Sequence, residues 1–185
     1  MNTQIRVRFA PSPTGHLHVG GLRTALYNYL FAKHHGGKFV LRIEDTDQAR
    51  RVEGAVENLI AMLDWAGIRF DEGPGRDGGY GPYVQSQRLD VYRHHADELI
   101  KKGLAYRCFC TPERLEEVRQ RQNAAKLSTS YDRHCRNLTA DEVERRLSAG
   151  ERNVIRMKVP LDGELTFEDI VRGTVTIAYG VLDDQ

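Results

Sequence analysis

The sequence has few cysteines, no long hydrophobic run and almost no net charge. Its three cysteines are an odd number in 185 residues, which argues against a disulfide framework and favours a reducing, cytoplasmic environment. No apolar segment approaches the roughly 20 residues that span a bilayer, so we expect no membrane anchor. Arg6 and Arg8 interrupt the apolar stretch that a secretory signal would need, so we expect no signal peptide.

The charge balance limits how this chain could bind nucleic acid. It has 27 Lys and Arg against 26 Asp and Glu, a net charge of +1, which excludes a protein coated in basic side chains. Residues 101–152 nevertheless hold 12 basic and 8 acidic side chains, whereas residues 153–185 hold 3 and 6. The middle block could contact an anionic partner or could be an ordinary solvated helical face, and both interpretations stay open.

Hydrophobic periodicity predicts an α/β fold for the first part of the chain. An alternating strand over residues 5–9 is followed by a breaker cluster at 11–15 and an amphipathic helix that ends at Gly36-Gly37. An apolar strand over residues 39–43 and a helix from Val52 to Leu63 come next. This order predicts the first half of a parallel sheet.

A turn-rich stretch at residues 73–82 predicts a loop or a domain boundary, after which the pattern becomes α+β. We expect one helix to end at Gly103, one to begin at Thr111-Pro112, and one to begin at Thr139 with a capping box completed by Glu142. Strands are predicted over residues 154–159, 165–167 and 174–178.

The loop between the first strand and the first helix is the first candidate site. In an open parallel sheet, ligands bind beyond the carboxyl ends of the strands, where a helix N-terminus attracts phosphate. Gly20 and Gly21 remove side chains where a nucleotide would approach the backbone, and His18 supplies an imidazole donor. His16 and His18 could instead be ordinary exposed side chains near a turn, but the strand-to-helix context favours a nucleotide site.

Cys108, Cys110 and Cys135 are the second candidate site. Three thiolates and one further ligand would complete a tetrahedral structural zinc site. Three cysteines of this kind can also be ordinary buried or surface residues, and the spacing alone does not decide between the two.

Several separated blocks resemble class I aminoacyl-tRNA synthetases in their glutamyl form. Residues 8–15, Arg-Phe-Ala-Pro-Ser-Pro-Thr-Gly, followed by His-Val-Gly-Gly at 18–21, are similar to the first signature of that family. The blocks at 22–29, 42–47 and 82–86 extend the resemblance over essentially the whole chain. The signature here lacks the second histidine that other members of the class carry, so the glycine backbone would have to make those ATP contacts.

The resemblance implies the N-terminal part of such an enzyme. Residues 1–86 would be the first half of the Rossmann-like catalytic domain, and residues 87–185 an inserted α+β domain that binds the tRNA acceptor end. Lys126–Ser130 is superficially similar to the second class I signature but lacks its second lysine, so we interpret it as an ordinary loop. A chain without that signature is expected to charge tRNA weakly or not at all.

The same resemblance implies roles for individual residues. Arg8 would pair with the side-chain carboxylate of glutamate, Ser12 would hydrogen-bond the substrate beside a small wall at Ala10, and Glu44 would receive the α-ammonium group. Alternatives are a surface ion pair for Arg8 and a helix N-terminal charge for Glu44. His18 would stabilise charge on the reacting phosphate. The residues implied in ATP binding are Thr14, Gly15, His18, Gly20 and Gly21, and magnesium would accompany the ATP.

Zinc-bearing relatives carry Cys-x-Cys followed by Tyr-x-x-x-Cys, which residues 108–110 and 131–135 match. Some relatives use a histidine two positions after the last cysteine, but Asn137 occupies that position here. The resemblance therefore implies Tyr131, or alternatively His134, as the fourth ligand beside the three cysteines. The zinc would brace the region that holds the acceptor end.

The implied activity is ATP-dependent ligation of L-glutamate to tRNA through glutamyl-adenylate, by a cytoplasmic and monomeric protein. One alternative is the short paralogue that transfers glutamate to a modified base of aspartate tRNA, although the 20-residue spacer between Cys110 and Tyr131 is long for it. Another is a non-catalytic, zinc-braced RNA-binding module, which would leave Arg8, His18 and Glu44 without a role. A generic nucleotidyltransferase would not need the Arg8, Ser12 and Glu44 combination.

Overall fold

The computed structural model describes residues 4–47, 50 and 52–184. The chain divides into two compact units, Met1–Tyr92 and Arg93–Gln185. The boundary falls inside the third helix of the chain, α3 (Leu89–Lys101).

The first unit contains the predicted order of strand, helix, strand and helix. These elements are β1 (Arg6–Phe9), α1 (Val19–His34), β2 (Lys38–Leu41) and α2 (Ala55–Trp65). β1 and β2 pair in parallel, which confirms the predicted α/β start. Helix α1 connects the two strands and packs against both.

Isolated parallel bridges extend the sheet from β2, and from the residues just after it, to the chain that follows α2. Val40 is bridged to Glu72, and Ile43, expected inside the second strand, forms an isolated bridge to Val84. Both bridges bring the chain that follows α2 back to the sheet. A short 3-10 helix, Gln85–Arg88, then leads into α3.

An apolar core of described residues holds the first unit together. Its buried side chains come from both strands, both helices and the segment after α2, and burial of their apolar surface supplies most of the stabilisation. They are Phe9, Ala25, Ala32, Phe39, Leu41, Ile43, Leu59, Leu63, Ile68 and Phe70.

Helix α2 begins three residues later than the predicted start at Val52. Gly54 precedes the helix with φ 74°, a left-handed conformation that glycine adopts without steric cost. Val52 therefore lies outside the helix and is exposed.

The second unit has the α+β composition that the sequence predicts. β3 (Ala105–Cys108) pairs antiparallel with β4 (Val154–Met157), and β5 (Glu164–Asp169) forms a hairpin with β6 (Gly173–Ala178). The buried cluster of this unit lies where β3 ends. It consists of Cys108, Phe109, Tyr131 and Cys135.

Two helices lie between β3 and β4 in the sequence, α4 (Pro112–Ala124) and α5 (Ala140–Ser148). Thr111 caps α4 as predicted, because its hydroxyl accepts a hydrogen bond from the Arg114 amide at 3.3 Å. Thr139 caps α5 in the same way.

Glu142 was expected to complete the capping box of α5 by bonding back to the Thr139 amide. Its described carboxylate contacts instead go to Arg146 at 3.3 Å and Arg145 at 3.8 Å. Ion pairs three and four residues along the helix therefore hold the Glu142 carboxylate in place of the Thr139 amide. One half of the capping box is therefore confirmed.

Within the described residues, no helix combines the length and the apolar character that crossing a lipid bilayer requires.

Candidate functional site

Two opposite charges face each other at the carboxyl ends of β1 and β2. Arg8 lies in β1, and Glu44 follows β2, where its amide donates a hydrogen bond to the Pro11 carbonyl oxygen at 3.0 Å. The Arg8 Nη2 atom is 3.8 Å from the Glu44 Oε1 atom. The arrangement offers a cation and an anion side by side at the edge of the sheet where α/β folds bind ligands.

Arg42 also contacts Glu44, although it was not among the predicted site residues. Its Nη2 atom lies 3.0 Å from Glu44 Oε1, the same oxygen that faces Arg8. Arg42 is less exposed than Arg8, with 21% against 49% of the side chain accessible. The sequence signal that could have identified Arg42 is its charge within the otherwise apolar run from Phe39 to Ile43.

The loop that leads from β1 to α1 is open to solvent at its hydroxyl-bearing residues. Ser12 and Thr14 are exposed, and the Thr14 amide bonds to the Ser12 carbonyl at 2.9 Å in a tight turn. Ala10 and Gly15 are partly buried. Gly15 has φ 150°, a conformation that side chains rarely adopt.

His18 caps the N-terminus of α1. Its Nδ1 atom accepts a hydrogen bond from the Gly20 amide at 2.9 Å. A neutral imidazole that accepts at Nδ1 carries its proton on Nε2, so the exposed side chain has an N–H donor at the opposite edge of its ring. The sequence predicts a donor at this position, and the cap gives it a fixed orientation.

A side chain at Gly20 or Gly21 would crowd the side chains of His18 and Leu17. A Cβ atom on Gly20 would lie 2.8 Å from the His18 Cε1 atom, and one on Gly21 would lie 2.8 Å from Leu17 Cδ1. His16 is turned elsewhere, with Nδ1 3.2 Å from the Asn58 side-chain oxygen. The loop therefore presents His18 and glycine backbone, and ties His16 to α2.

In the second unit the three cysteine sulfurs converge. The Sγ atoms of Cys108, Cys110 and Cys135 all lie within 4.8 Å of one another, and those of Cys110 and Cys135 are 3.6 Å apart. Zinc–sulfur bonds of about 2.3 Å at tetrahedral angles place sulfurs about 3.8 Å apart. The donor set thus has the size of a zinc site.

Tyr131 faces this cluster, whereas His134 does not join it. The Tyr131 hydroxyl lies 3.2 Å from Cys108 Sγ and 3.4 Å from Cys110 Sγ, and its side chain is buried. His134 is exposed and lies outside the group of sulfur ligands among the described residues. Of the two residues considered for a fourth ligand, Tyr131 is the one near the sulfurs.

The pKa values of Cys108 and Cys110 are shifted in opposite directions. Burial raises the pKa of Cys108, but hydrogen bonds from Tyr131 and Arg156 outweigh it, so the pKa lies below its ordinary value. Burial raises the pKa of Cys110 to about 11. Burial, together with hydrogen bonding to Cys108 and Cys110, also raises the pKa of Tyr131.

The segment Lys126–Ser130 is a loop that is held by α4. The side chain of Gln122 bonds to both the carbonyl oxygen and the amide of Ser130, at 3.0 Å and 3.1 Å. These bonds close the loop onto the preceding helix, which agrees with its interpretation as an ordinary connection.

Comparison with known proteins adds an independent line of evidence. The family model for the catalytic domain of class I tRNA synthetases of the E and Q type matches residues 4–185. A glutamate–tRNA ligase from Alkaliphilus metalliredigens is 52% identical over 98% of this chain and 38% of its own length. One from Borrelia duttonii is 56% identical over 94% of this chain and 34% of its own length.

Solved structures agree with the sequence relatives. The crystal structure of a glutamate tRNA ligase from Elizabethkingia meningosepticum, in complex with its amino acid, matches with a TM-score of 0.89 at 45% identity. The match covers 98% of this chain and 38% of that one. This chain thus spans well under half the length of the relatives it matches, and it belongs to the family of class I tRNA synthetases specific for glutamate and glutamine, within the catalytic domain.

Proposed function

We propose that this chain provides the first half of the catalytic site of a glutamate–tRNA ligase, together with the unit that holds the tRNA acceptor end. The observation that supports it most directly is the pair Arg8 and Glu44, with Nη2 and Oε1 3.8 Å apart. Free glutamate carries a carboxylate and an ammonium group that would each find an opposite charge there. Binding would replace the partly exposed Arg8–Glu44 ion pair with two charge-assisted contacts to the substrate.

In this proposal, Arg8 binds the side-chain carboxylate of glutamate, since a planar fork of donors fits a carboxylate. Glu44 receives the α-ammonium group, and Arg42 keeps the Glu44 carboxylate in place during the exchange. Ser12 is exposed and able to donate a hydrogen bond, and Ala10 leaves room beside it.

ATP would bind at the start of α1. The Nε2 proton of His18 would contact a phosphate oxygen, and Gly20 and Gly21 would allow the phosphates near the helix N-terminus. Thr14 and Gly15 would line the approach, with magnesium accompanying the ATP. The relative from Elizabethkingia is described with its amino acid, and ATP binding is expected for the class.

The reaction then has two steps. An α-carboxylate oxygen of glutamate bonds to the α-phosphorus of ATP while the bond to pyrophosphate breaks. The 2′-hydroxyl of the terminal ribose of tRNA next attacks the carbonyl carbon, loses its proton, and releases AMP. Such catalysis depends mainly on positioning and on stabilising phosphate charge, which is the role assigned to His18.

The cysteine cluster fits a structural zinc ion. Three sulfurs at tetrahedral spacing and a phenol oxygen within 3.4 Å of two of them make a closed set of four donors: Cys108, Cys110, Cys135 and Tyr131. A bound ion would cross-link the end of β3 to the 131–135 segment and so brace the acceptor-binding unit. We place the protein in the cytoplasm, where thiols stay reduced, and expect a monomer.

Glutamate titration followed by backbone amide NMR tests the glutamate site, because it detects binding even at millimolar affinity. Shifts are expected at the Arg8 and Glu44 amides and should disappear in Arg8→Gln. The matched control is Arg23→Gln, which removes an exposed arginine of α1. Absence of shifts at Arg8 and Glu44 in the unaltered chain would overturn the proposed site.

A further inference from the structure

Two arginines from different elements lie against the cysteine cluster. Arg114, in α4, places Nη1 3.5 Å from the Cys110 sulfur. Arg156, in β4, lies with its guanidinium carbon 4.1 Å from the centre of the Tyr131 ring. Two of the candidate ligands, Cys110 and Tyr131, therefore have a described guanidinium contact.

Other residues hold both guanidinium groups in position. Arg114 bonds to both carboxylate oxygens of Asp132, at 3.1 Å and 2.5 Å. Arg156 donates to the backbone carbonyl of Asp184 at 2.8 Å. Bidentate and backbone contacts of this kind limit the rotamers of long side chains, so the two charges are positioned before any ion binds.

Charge explains why two arginines are useful at this site. Three thiolates and a neutral phenol around a divalent cation leave one net negative charge, and a phenolate would leave two. Partly buried negative charge is costly unless positive groups lie close to it. Arginine suits the task better than lysine, because its flat group can stack on the Tyr131 ring while its N–H groups bond elsewhere.

We propose that Arg114 and Arg156 are positioning residues of the metal site, which set its affinity for a divalent ion by offsetting the ligand charge. Arg156 has a second role, because its stacking orients the Tyr131 ring so that the hydroxyl faces Cys108 and Cys110. This inference rests on the proposed zinc site and adds the groups that act on its ligands.

Cobalt(II) binding to the 185-residue chain tests the proposal, since tetrahedral cobalt–thiolate sites absorb visible light and zinc competition gives the affinity. Arg114→Gln and Arg156→Gln are each expected to weaken metal affinity by about 10- to 100-fold, the usual effect of losing an outer contact to a ligand. Arg156→Gln should also shift the cobalt bands, because Tyr131 is released. Arg156→Lys, which keeps the charge without the stacked plane, should recover affinity only in part.

Matched controls remove a nearby exposed arginine that does not touch the cluster. Arg145→Gln lies on α5 and Arg152→Gln lies just before β4, and both should bind within twofold of the unaltered chain. Circular dichroism of the metal-free variants reports whether each one folds. If a glutamine variant does not fold, Arg156→Lys decides, and unchanged affinity together with unchanged bands would overturn the role of Arg156.

Two failures can be told apart. If the unaltered chain binds neither cobalt nor zinc, the zinc site itself is wrong. If it binds metal and the folded glutamine variants bind equally well, the zinc site stands and the role of the two arginines is wrong.

Discussion

The backbone amide of Cys135 donates a hydrogen bond to the hydroxyl oxygen of Tyr131 at 3.0 Å. The bond links the backbone of one candidate metal ligand, Cys135, to the side chain of another, Tyr131. It also orients the phenol oxygen. It gives the Tyr131 hydroxyl a structural role that does not depend on metal.

Tyr131→Phe is therefore expected to destabilise the chain even without metal. The change leaves the buried Cys135 amide without its acceptor, which costs about 1–3 kcal/mol. Urea unfolding in the presence of a chelator measures this cost, and repeating it with zinc should show a larger difference. Tyr179→Phe is the control, and an equal loss in both variants would contradict the assignment.

Asp184 should make the stability of the second unit depend on pH. Burial raises its pKa, but hydrogen bonds from Arg136 and Tyr106 outweigh this, so the folded pKa lies below the ordinary value. A depressed pKa stabilises the fold above the unfolded pKa of about 3.9, and the contribution is lost as the pH falls through the folded pKa.

Asp184→Asn is expected to cost about 3 kcal/mol at pH 7, since it leaves the Arg136 charge without its buried partner. The difference from the unaltered chain should shrink at pH 3. Urea unfolding at both values measures it, with Asp162→Asn as an exposed control. A cost that does not change between the two pH values would contradict the charge-based explanation.

Arg42→Gln should weaken glutamate binding without weakening ATP binding. The substitution removes the 3.0 Å contact to Glu44 Oε1, so that this carboxylate is free to close onto Arg8. We expect a roughly tenfold loss, which corresponds to about 1.4 kcal/mol. NMR titration with each ligand measures it, Arg42→Lys should recover part of the loss, and Arg69→Gln serves as the control. Equal weakening of both ligands would indicate general damage.

Gly20→Ala is expected to weaken nucleotide binding with little effect on the stability of the chain. Alanine favours the helix by up to about 1 kcal/mol over glycine, but the added Cβ would lie 2.8 Å from His18 Cε1 and push the ring off the Gly20 amide. ATP affinity should fall severalfold while the melting temperature changes by a few degrees at most. Gly180→Ala, where the structure leaves open space, is the matched control. Unchanged ATP affinity would exclude the assigned orientation of His18.

Local signals predicted much of the fold. The end of α1 near Gly36, the cap of α4 at Thr111 and the parallel pairing of the first two strands all follow from periodicity and capping chemistry. The late start of α2 was not predicted, because the apolar pattern at Val52 does not report the backbone conformation of Gly54.

Contacts between distant residues could not be predicted in the same way. The spacing of Tyr131 and His134 from Cys135 left two candidates for one ligand position, and only the folded segment shows which side chain turns inward. Arg42 and Glu44 are two residues apart, yet their contact depends on how the chain bends where β2 ends. Tyr106 and Asp184 are 78 residues apart, and no local pattern relates them.

Asp184, near the end of the described chain, binds Tyr106, Arg136 and the amide of Val159, with its own side chain fully buried. During translation, none of these contacts can form until residue 184 has left the ribosome. Among the described residues, those that form the buried core of the first unit all come before Tyr92. We therefore expect the core of the first unit to be able to form earlier on the nascent chain, and a ribosome stalled before residue 184 would leave Arg136, next to the cysteine cluster, without its buried carboxylate partner.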